Sequence, residues 1–386
     1  MNRRDFIKLL GGASLLPLAP GISWAAVPAT HWERRLILIE LKGGNDGLNT
    51  IIPYTDPNYL RLRPRLAILR EQVLPLTENT GLHPSLKPLL PLWQNAELAL
   101  VQGLGYPNPN LSHFRSIEIW DTASNSQEYL EAGWLTRAFN IAPPPGNFAA
   151  DAVAIGDSGL GPFSGGGVRA IALTDSERFL RQAGKVSPTE SPAENPALQH
   201  ILKVENDIAQ AASRLVLGEM PTADFPRGKF GDALKTLVRL IDGGSGAAVY
   251  KVSLGSFDTH SNQLGTQARL LDELAQGLAA LRDTLNANGG WQDTLVMTYS
   301  EFGRRAQENA SQGTDHGTAN AHFVLGGGVR GGLYGKPPAL DRLENGNLVY
   351  SIDFRSLYAT VLQDWWELDA ANALGHRFER IPGLLI

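Results

Sequence analysis

A recurring unit constrains what this chain can fold into. A short apolar run ends in a glycine- or acid-rich tip and is followed by an amphipathic stretch of helical length. Leu36-Ile37-Leu38-Ile39-Glu40-Leu41 runs into Lys42-Gly43-Gly44-Asn45-Asp46-Gly47. Comparable runs span 98–104, 152–155, 247–254, 294–299 and 321–325. Near-continuous apolar runs of this length suit strands covered on both faces. Leu264, Leu271, Leu274, Leu278, Leu281 and Leu285 share one face of a helix predicted over 261–286. Segments 197–216, 232–241 and 354–366 are helical in pattern as well. Strands alternating with helices predict an α/β fold with a mostly parallel sheet.

The first 25 residues stand apart. Arg3 and Arg4 precede Phe6 and a short apolar stretch broken by Gly11, Gly12, Pro17, Pro20 and Gly21, and small residues surround a cut predicted after Ala25. This is the pattern of a twin-arginine signal peptide, so a periplasmic or secreted destination is expected. The stretch is too short and too interrupted to span about 30 Å of hydrocarbon. No later run is long enough either, so no stable membrane insertion is expected after cleavage, and the expected division is 1–25 signal and 26–386 a single domain. Net charge is −5 for the whole chain. The signal carries Arg3, Arg4 and Lys8 against Asp5, so −5 − 2 = −7 remains, and a nucleic-acid partner held by a basic surface is not expected. With no cysteine, any metal site must use oxygen and imidazole donors, and eight histidines are available.

In open α/β sheets, ligands bind beyond the carboxyl ends of the parallel strands. Here those ends carry Asn45-Asp46-Gly47, Asp258-Thr259-His260, and Ser300-Glu301-Phe302-Gly303-Arg304-Arg305, with Thr314-Asp315-His316-Gly317 just before the run at 321. Asp258 and His260, two apart in extended chain, project to one side and suit a divalent ion; Asp258 can equally cap the helix that follows. Asp315 and His316 sit in good turn chemistry, and Glu301 can pair with Arg304 or Arg305. Ser112 opens a predicted helix as nucleophile or as simple cap, with Asn110 an alternative cap. His113 can be ligand, base or structural. His83, before Pro84, reads as structural or surface; His200 and His322 read as packed, and Trp365-Trp366 as core. Two Gly-Gly-Gly-Val-Arg runs, at 165 and 326, echo each other without a fixed repeat. The run at 326 lacks the spacing of a phosphate-binding P-loop.

The blocks LILIELKGGNDGLNTIIPY, GLHPSL, LSHFRSIEIWDTAS, GWLTR, FDTHSNQ, TYSEFGR, TDHGTANAHFVLGGGV and DFRSLYATVL resemble, in this order, the twin-arginine-exported family called domain of unknown function 1501. That family looks like a distant branch of the alkaline phosphatase and sulfatase superfamily. The resemblance implies a doubly wound α/β fold with helices on both faces, and a divalent metal such as zinc, manganese or calcium. Carried over residue by residue, it implies Asp46, Asp258, His260, Glu301, Asp315 and His316 as metal ligands. Ser112 falls where the superfamily's nucleophile opens a helix, with His113 beside it, and Arg115 or Arg304 would offset charge on the ester oxygens. Phe302 stands where the superfamily has a second-site histidine.

The expected function is a periplasmic metal-dependent hydrolase of phosphate or sulfate esters acting on a small-molecule or glycan substrate, delivered by the twin-arginine export machinery. The alternatives are a non-catalytic envelope protein binding a glycan, an anion or a protein partner, and a transferase or mutase acting on cell-surface sugars.

Overall fold

A computed structural model describes residues 30–156, 159–175, 195 and 211–386. The signal segment, the Pro-, Ser- and Glu-rich stretch 182–196 apart from Asn195, and most of the predicted helix over 197–216 lie outside the described residues.

The predicted strands form. They are β1 (Arg35–Leu41), β5 (Leu98–Gly105), β6 (Ala152–Ile155), β8 (Val249–Leu254), β9 (Thr294–Tyr299) and β10 (Asn320–Gly326). Short strands β7 (Ala170–Leu173), β11 (Gly332–Tyr334) and β12 (Ile352–Asp353) complete a nine-stranded sheet. Its order is β11-β5-β10-β9-β1-β8-β6-β7, with β12 also on β5. β1 pairs in parallel with both β8 and β9. β10 is antiparallel to both neighbours, β5 and β9. The 20 residues between Tyr299 and Asn320 contain no helix, and a parallel return needs a crossover of about a dozen residues or more, usually helical. A second sheet of three short strands, β2 (Ile51–Ile52), β4 (Gly81–Leu82) and β3 (Leu74–Pro75), lies off the main one.

Strand alternation explains the two cores. Ile37, Ile39 and Leu41 of β1 pack into one apolar cluster, while Leu36 and Leu38 pack into another. Helices Lys229–Asp242 and Gln263–Ala287 cover the first face through Phe230, Leu234, Leu237, Leu271, Leu274 and Leu278. Helices His113–Thr122, Trp134–Ile141 and Phe354–Thr360 cover the second through Trp120, Trp134 and Tyr358. The sheet is therefore mostly parallel with helices on both faces. The predicted helix over 354–366 changes hand-off at Val361, where a π-helical turn Val361–Trp365 follows. Trp365 and Trp366 are core, as expected, and their indole N–H groups donate to the Arg35 and Arg34 carbonyls. The two Gly-Gly-Gly-Val-Arg runs lead into β7 and β11, the opposite edges of the sheet.

Candidate metal centre

The ends of β1, β8 and β9, the loop before β10 and the start of helix His113–Thr122 meet at one point. Asp258 and His260 follow β8 through a loop in which Ser256 adopts φ +80°, backbone strain of the kind that clusters at functional sites. The next helix begins only at Gln263, with Asn262 at its N-cap, so Asp258 is not a cap. His316 is presented by an antiparallel bridge between its own backbone and that of Arg304. Gly317 allows this approach, since a Cβ there would lie 2.3 Å from the Arg304 carbonyl carbon.

Donor atoms of His113, Asp258 and His316 all lie within 4.8 Å of one another. His260 joins them. Its Nε2 is 3.0 Å from His316 Nε2 and 3.1 Å from Asp258 Oδ1. His316 Nε2 is 3.2 Å from the same oxygen, and His113 Nε2 is 3.4 Å from Asp258 Oδ2.

Each imidazole is held from behind by its other nitrogen. His316 Nδ1 donates to the Leu111 carbonyl (2.8 Å), His260 Nδ1 to Asp315 (3.3 Å) and His113 Nδ1 to Glu301 (2.9 Å). A carbonyl or an ionised carboxylate only accepts, so each neutral ring carries its proton on Nδ1. All three Nε2 lone pairs then point at the Asp258 carboxylate. Lone pairs and a carboxylate oxygen at 3.0–3.2 Å repel unless a cation lies among them. Ligand bonds of about 2.0–2.1 Å in a tetrahedron put donors roughly 3.3 Å apart, so the spacings among Asp258, His260 and His316 fit a zinc-like ion, with His113 close enough to Asp258 to join them. Three imidazoles favour such an ion over calcium, which takes six or more oxygens. Oxygen acceptors behind ligating imidazoles are the ordinary second layer of a metal site.

Electrostatics agree. Burial opposes ionisation of Asp258, but Arg304, followed by His260 and His316, outweighs it and holds the carboxyl below the usual range. The Asn309 amide, with help from His260, does the same for Asp315. Burial lowers His316, keeping its ring neutral and its lone pair available.

Of the residues expected to act, Asp258, His260 and His316 meet with donor atoms inward, and His113 joins them. Glu301 and Asp315 stand one layer behind, against imidazole Nδ1 atoms. Glu301 pairs with neither Arg304 nor Arg305. It also accepts from the Gly43 amide at 2.8 Å and from Ser300 Oγ at 3.2 Å.

Three expectations are corrected. Asp46 is buried, caps the 3-10 turn Gly47–Asn49, and accepts from Arg63 and Gln263, so its carboxylate is committed elsewhere. Arg304 is 1% exposed and its guanidinium donates to the Gly43, Gly44, Phe257 and Thr314 carbonyls and to Asp258, so it clamps the loops and leaves no face for a substrate oxygen. Arg115 turns away to the carbonyls of Asn125, Ser126 and Glu128 and stacks on Tyr129.

Ser112 occupies the N-cap position of its helix, exposed, and its side chain makes no cap bond; Asn110 instead accepts from the Ser112 amide. Phe302 lies against His113 (4.9 Å between ring centres) and His316 (4.4 Å), an apolar platform with no donor. Sequence reasoning missed Asn309, which donates to His260 O and to Asp315. Its only signal is its place in the polar run 307–314. His83 is structural: its Nδ1 accepts from the Ser85 amide, and burial lowers its pKa to about 4. His322 is packed against Trp120, and burial lowers it to about 3. His200 lies outside the described residues.

Residues 79–374 match the family described as "Protein of unknown function (DUF1501)". This chain belongs to that family. No curated protein sequence matches it. Among solved structures, this chain can be laid over distant ones. The C-terminal periplasmic domain of EcEptC from Escherichia coli, in complex with Zn, shares 8% identity at a TM-score of 0.39, covering 77% of this chain and 74% of that one. The lipoteichoic acid synthase LtaP from Listeria monocytogenes shares 11% at 0.33, over 76% and 65%. The PsFucS1 sulfatase from Pseudoalteromonas sp. shares 10% at 0.37, over 90% and 70%. Among the described residues, no helix is long and apolar enough to cross a membrane.

Proposed function

We propose that this protein is an exported, metal-dependent hydrolase of phosphate or sulfate esters. The observation that carries the reading is the convergence of three Nδ1-anchored imidazoles on Asp258. His113, Asp258, His260 and His316 would hold a divalent cation, with zinc the best fit to the donors. When bound, such an ion supplies Lewis-acid polarisation of an ester oxygen. Glu301 and Asp315 accept from the Nδ1 atoms of His113 and His260, which orients the rings and makes their Nε2 atoms stronger donors to a cation. Asp258 anchors the set through Arg304, which ties it to the β1 and β8 tips. Ser112, exposed beside His113, would attack phosphorus or sulfur as its hydroxyl proton passes to solvent and the substrate's alcohol leaves. Water would then release the phosphoryl or sulfuryl group from Ser112, and the start of its helix favours an anion there.

One observation favours a second reading, an envelope protein that binds an anion or glycan at this centre without turnover. Both arginines expected to offset charge on the ester oxygens are committed to backbone carbonyls. Turnover of 4-nitrophenyl phosphate and 4-nitrophenyl sulfate by the metal-loaded protein decides between them. The hydrolase reading expects turnover that falls about a hundredfold or more in Ser112→Ala while metal content stays the same. Turnover unchanged in that variant removes Ser112 from the nucleophile's role. No turnover of either ester by fully loaded wild type favours the binding reading.

A further inference from the structure

A cavity of about 640 Å³ opens beside the metal centre and shares none of its residues. It arises from a fault in the pairing of β5. On one side of β5, β11 pairs with Ala99–Val101 and β12 with Leu104–Gly105. The chain between them, 335–351, leaves the sheet and arches over Gln102 and Gly103. On the other side the β10 register slips at the same place, so Ala321 alone faces Gln102 and Gly103. This is a bulge, and Gly103 takes φ +72° to make it. Bulges re-aim side chains, and here the re-aimed residue is polar.

Gln102 is 3% exposed. Strand alternation puts it on the face of Leu98 and Leu100, the face that also carries Ile51 and Ala321. Those last two line the cavity, as does Gln102 itself. No described residue hydrogen-bonds its side-chain amide. The amide is not sealed off from solvent: it opens onto the cavity, where water or a ligand group can pair with it. The remaining walls are largely apolar, among them Leu48, Pro338, Leu343 and Leu348, with the exposed Lys336, Arg342 and Glu344 also on the lining. Enclosed volumes of about 300–1,000 Å³ with apolar walls and a few convergent polar groups are typical of small-ligand sites.

We propose that this cavity binds a small amphipathic molecule, its apolar body against Leu48, Ile51, Leu343 and Leu348 and a hydroxyl or amide paired with Gln102. The pairing uses both halves of the Gln102 carboxamide, a donor and an acceptor, so a ligand group offering both is preferred over a bare hydrocarbon. The site is independent of the metal centre's chemistry. Asn320, which lines the cavity, donates to the Phe302 carbonyl, so the two lie back to back.

The uncharged probe N-phenyl-1-naphthylamine has an apolar body and one N–H that the Gln102 carbonyl oxygen can accept, half of the full pairing, and its fluorescence rises in dry surroundings. Titrated into the full metal-loaded protein, it is expected to bind saturably at one site per chain. Ala339→Phe places bulk in the cavity from its half-buried loop wall and is expected to weaken binding at least about tenfold. Gln102→Leu keeps the volume, removes the amide and is expected to weaken it about threefold to tenfold. Both variants must keep wild-type unfolding midpoints and metal content; either variant that does not is replaced by Ala321→Val or Gln102→Met. Absence of saturable binding, or equal affinity in wild type and Ala339→Phe, overturns the site. Equal affinity in Gln102→Leu overturns the role of the amide.

Discussion

Asp121 shows how strongly a single residue's surroundings set its chemistry. Burial pushes its carboxyl up to about 8, opposed by Lys251 and reinforced by Glu40. Tyr299 donates to it at 3.4 Å, and Glu40 and Lys251 form an ion pair at 2.9 Å nearby. A folded-state pKa above the unfolded value means the native state holds the extra proton, so stability falls as pH rises through that window. The buried histidines act in the opposite direction but only below their unfolded value of about 6.5. Between pH 6.5 and 8.5 Asp121 therefore dominates among these groups. Asp121→Asn is expected to gain stability relative to wild type as pH rises across that range, measured by urea unfolding at several pH values. A constant difference would mean that Asp121 does not titrate there. At this scale the sequence showed which residue types could form a centre. It could not show orientation. Asp258, His260 and His316 were legible because each sits at a strand end or turn of local origin. Asp46 was misplaced because its partner Arg63 lies 17 residues away, and Asn-Asp-Gly looks the same whether it ligates or caps. That Glu301 and Asp315 stand behind imidazoles depends on which ring nitrogen faces them, a tertiary detail.

Elements fix that detail. Three separate segments deliver the donors, and the approaches between them are too close for a side chain. Gly43, at φ +109°, passes 2.4 Å from the Asp258 amide at its would-be Cβ, and Gly317 lies as tightly against Arg304. Gly317→Ala must push His316 off the Arg304 bridge. Metal affinity is expected to drop about tenfold to a hundredfold, the range seen when support behind metal ligands is lost. Far-UV circular dichroism should stay at wild type, since the bridge is outside the main strands. Unchanged affinity by competition with a fluorescent chelator would show that His316 is not held this way. The strands themselves were legible almost to the residue because apolar runs ending in glycine or acid leave few options. The reversal of β10 was not called for by its own residues. Its signal was the lack of any amphipathic stretch between Tyr299 and Asn320, and the bulge at Gly103 had no signal beyond the glycine.

The whole molecule couples these pieces. The loops that carry the donors join both faces of the sheet, and Arg304 ties the β1, β8 and β9 tips into one body. A cation bound there links to folding, and at a thousand times its dissociation constant it stabilises by about 4 kcal/mol. Chelation by excess EDTA is expected to lower the unfolding midpoint by several degrees, about 2–4 °C per kcal/mol for a smaller domain and less for one this large, and added zinc should restore it. The proposed function stands on His113, Asp258, His260 and His316 forming one metal centre. Elemental analysis of protein matured in the cell tests it most directly, with wild type compared against His260→Ala/His316→Ala. Wild type is expected to carry about one equivalent of a single divalent transition metal, and the double variant to lose nearly all of it. Less than about a tenth of an equivalent in wild type, or equal content in both proteins, contradicts it.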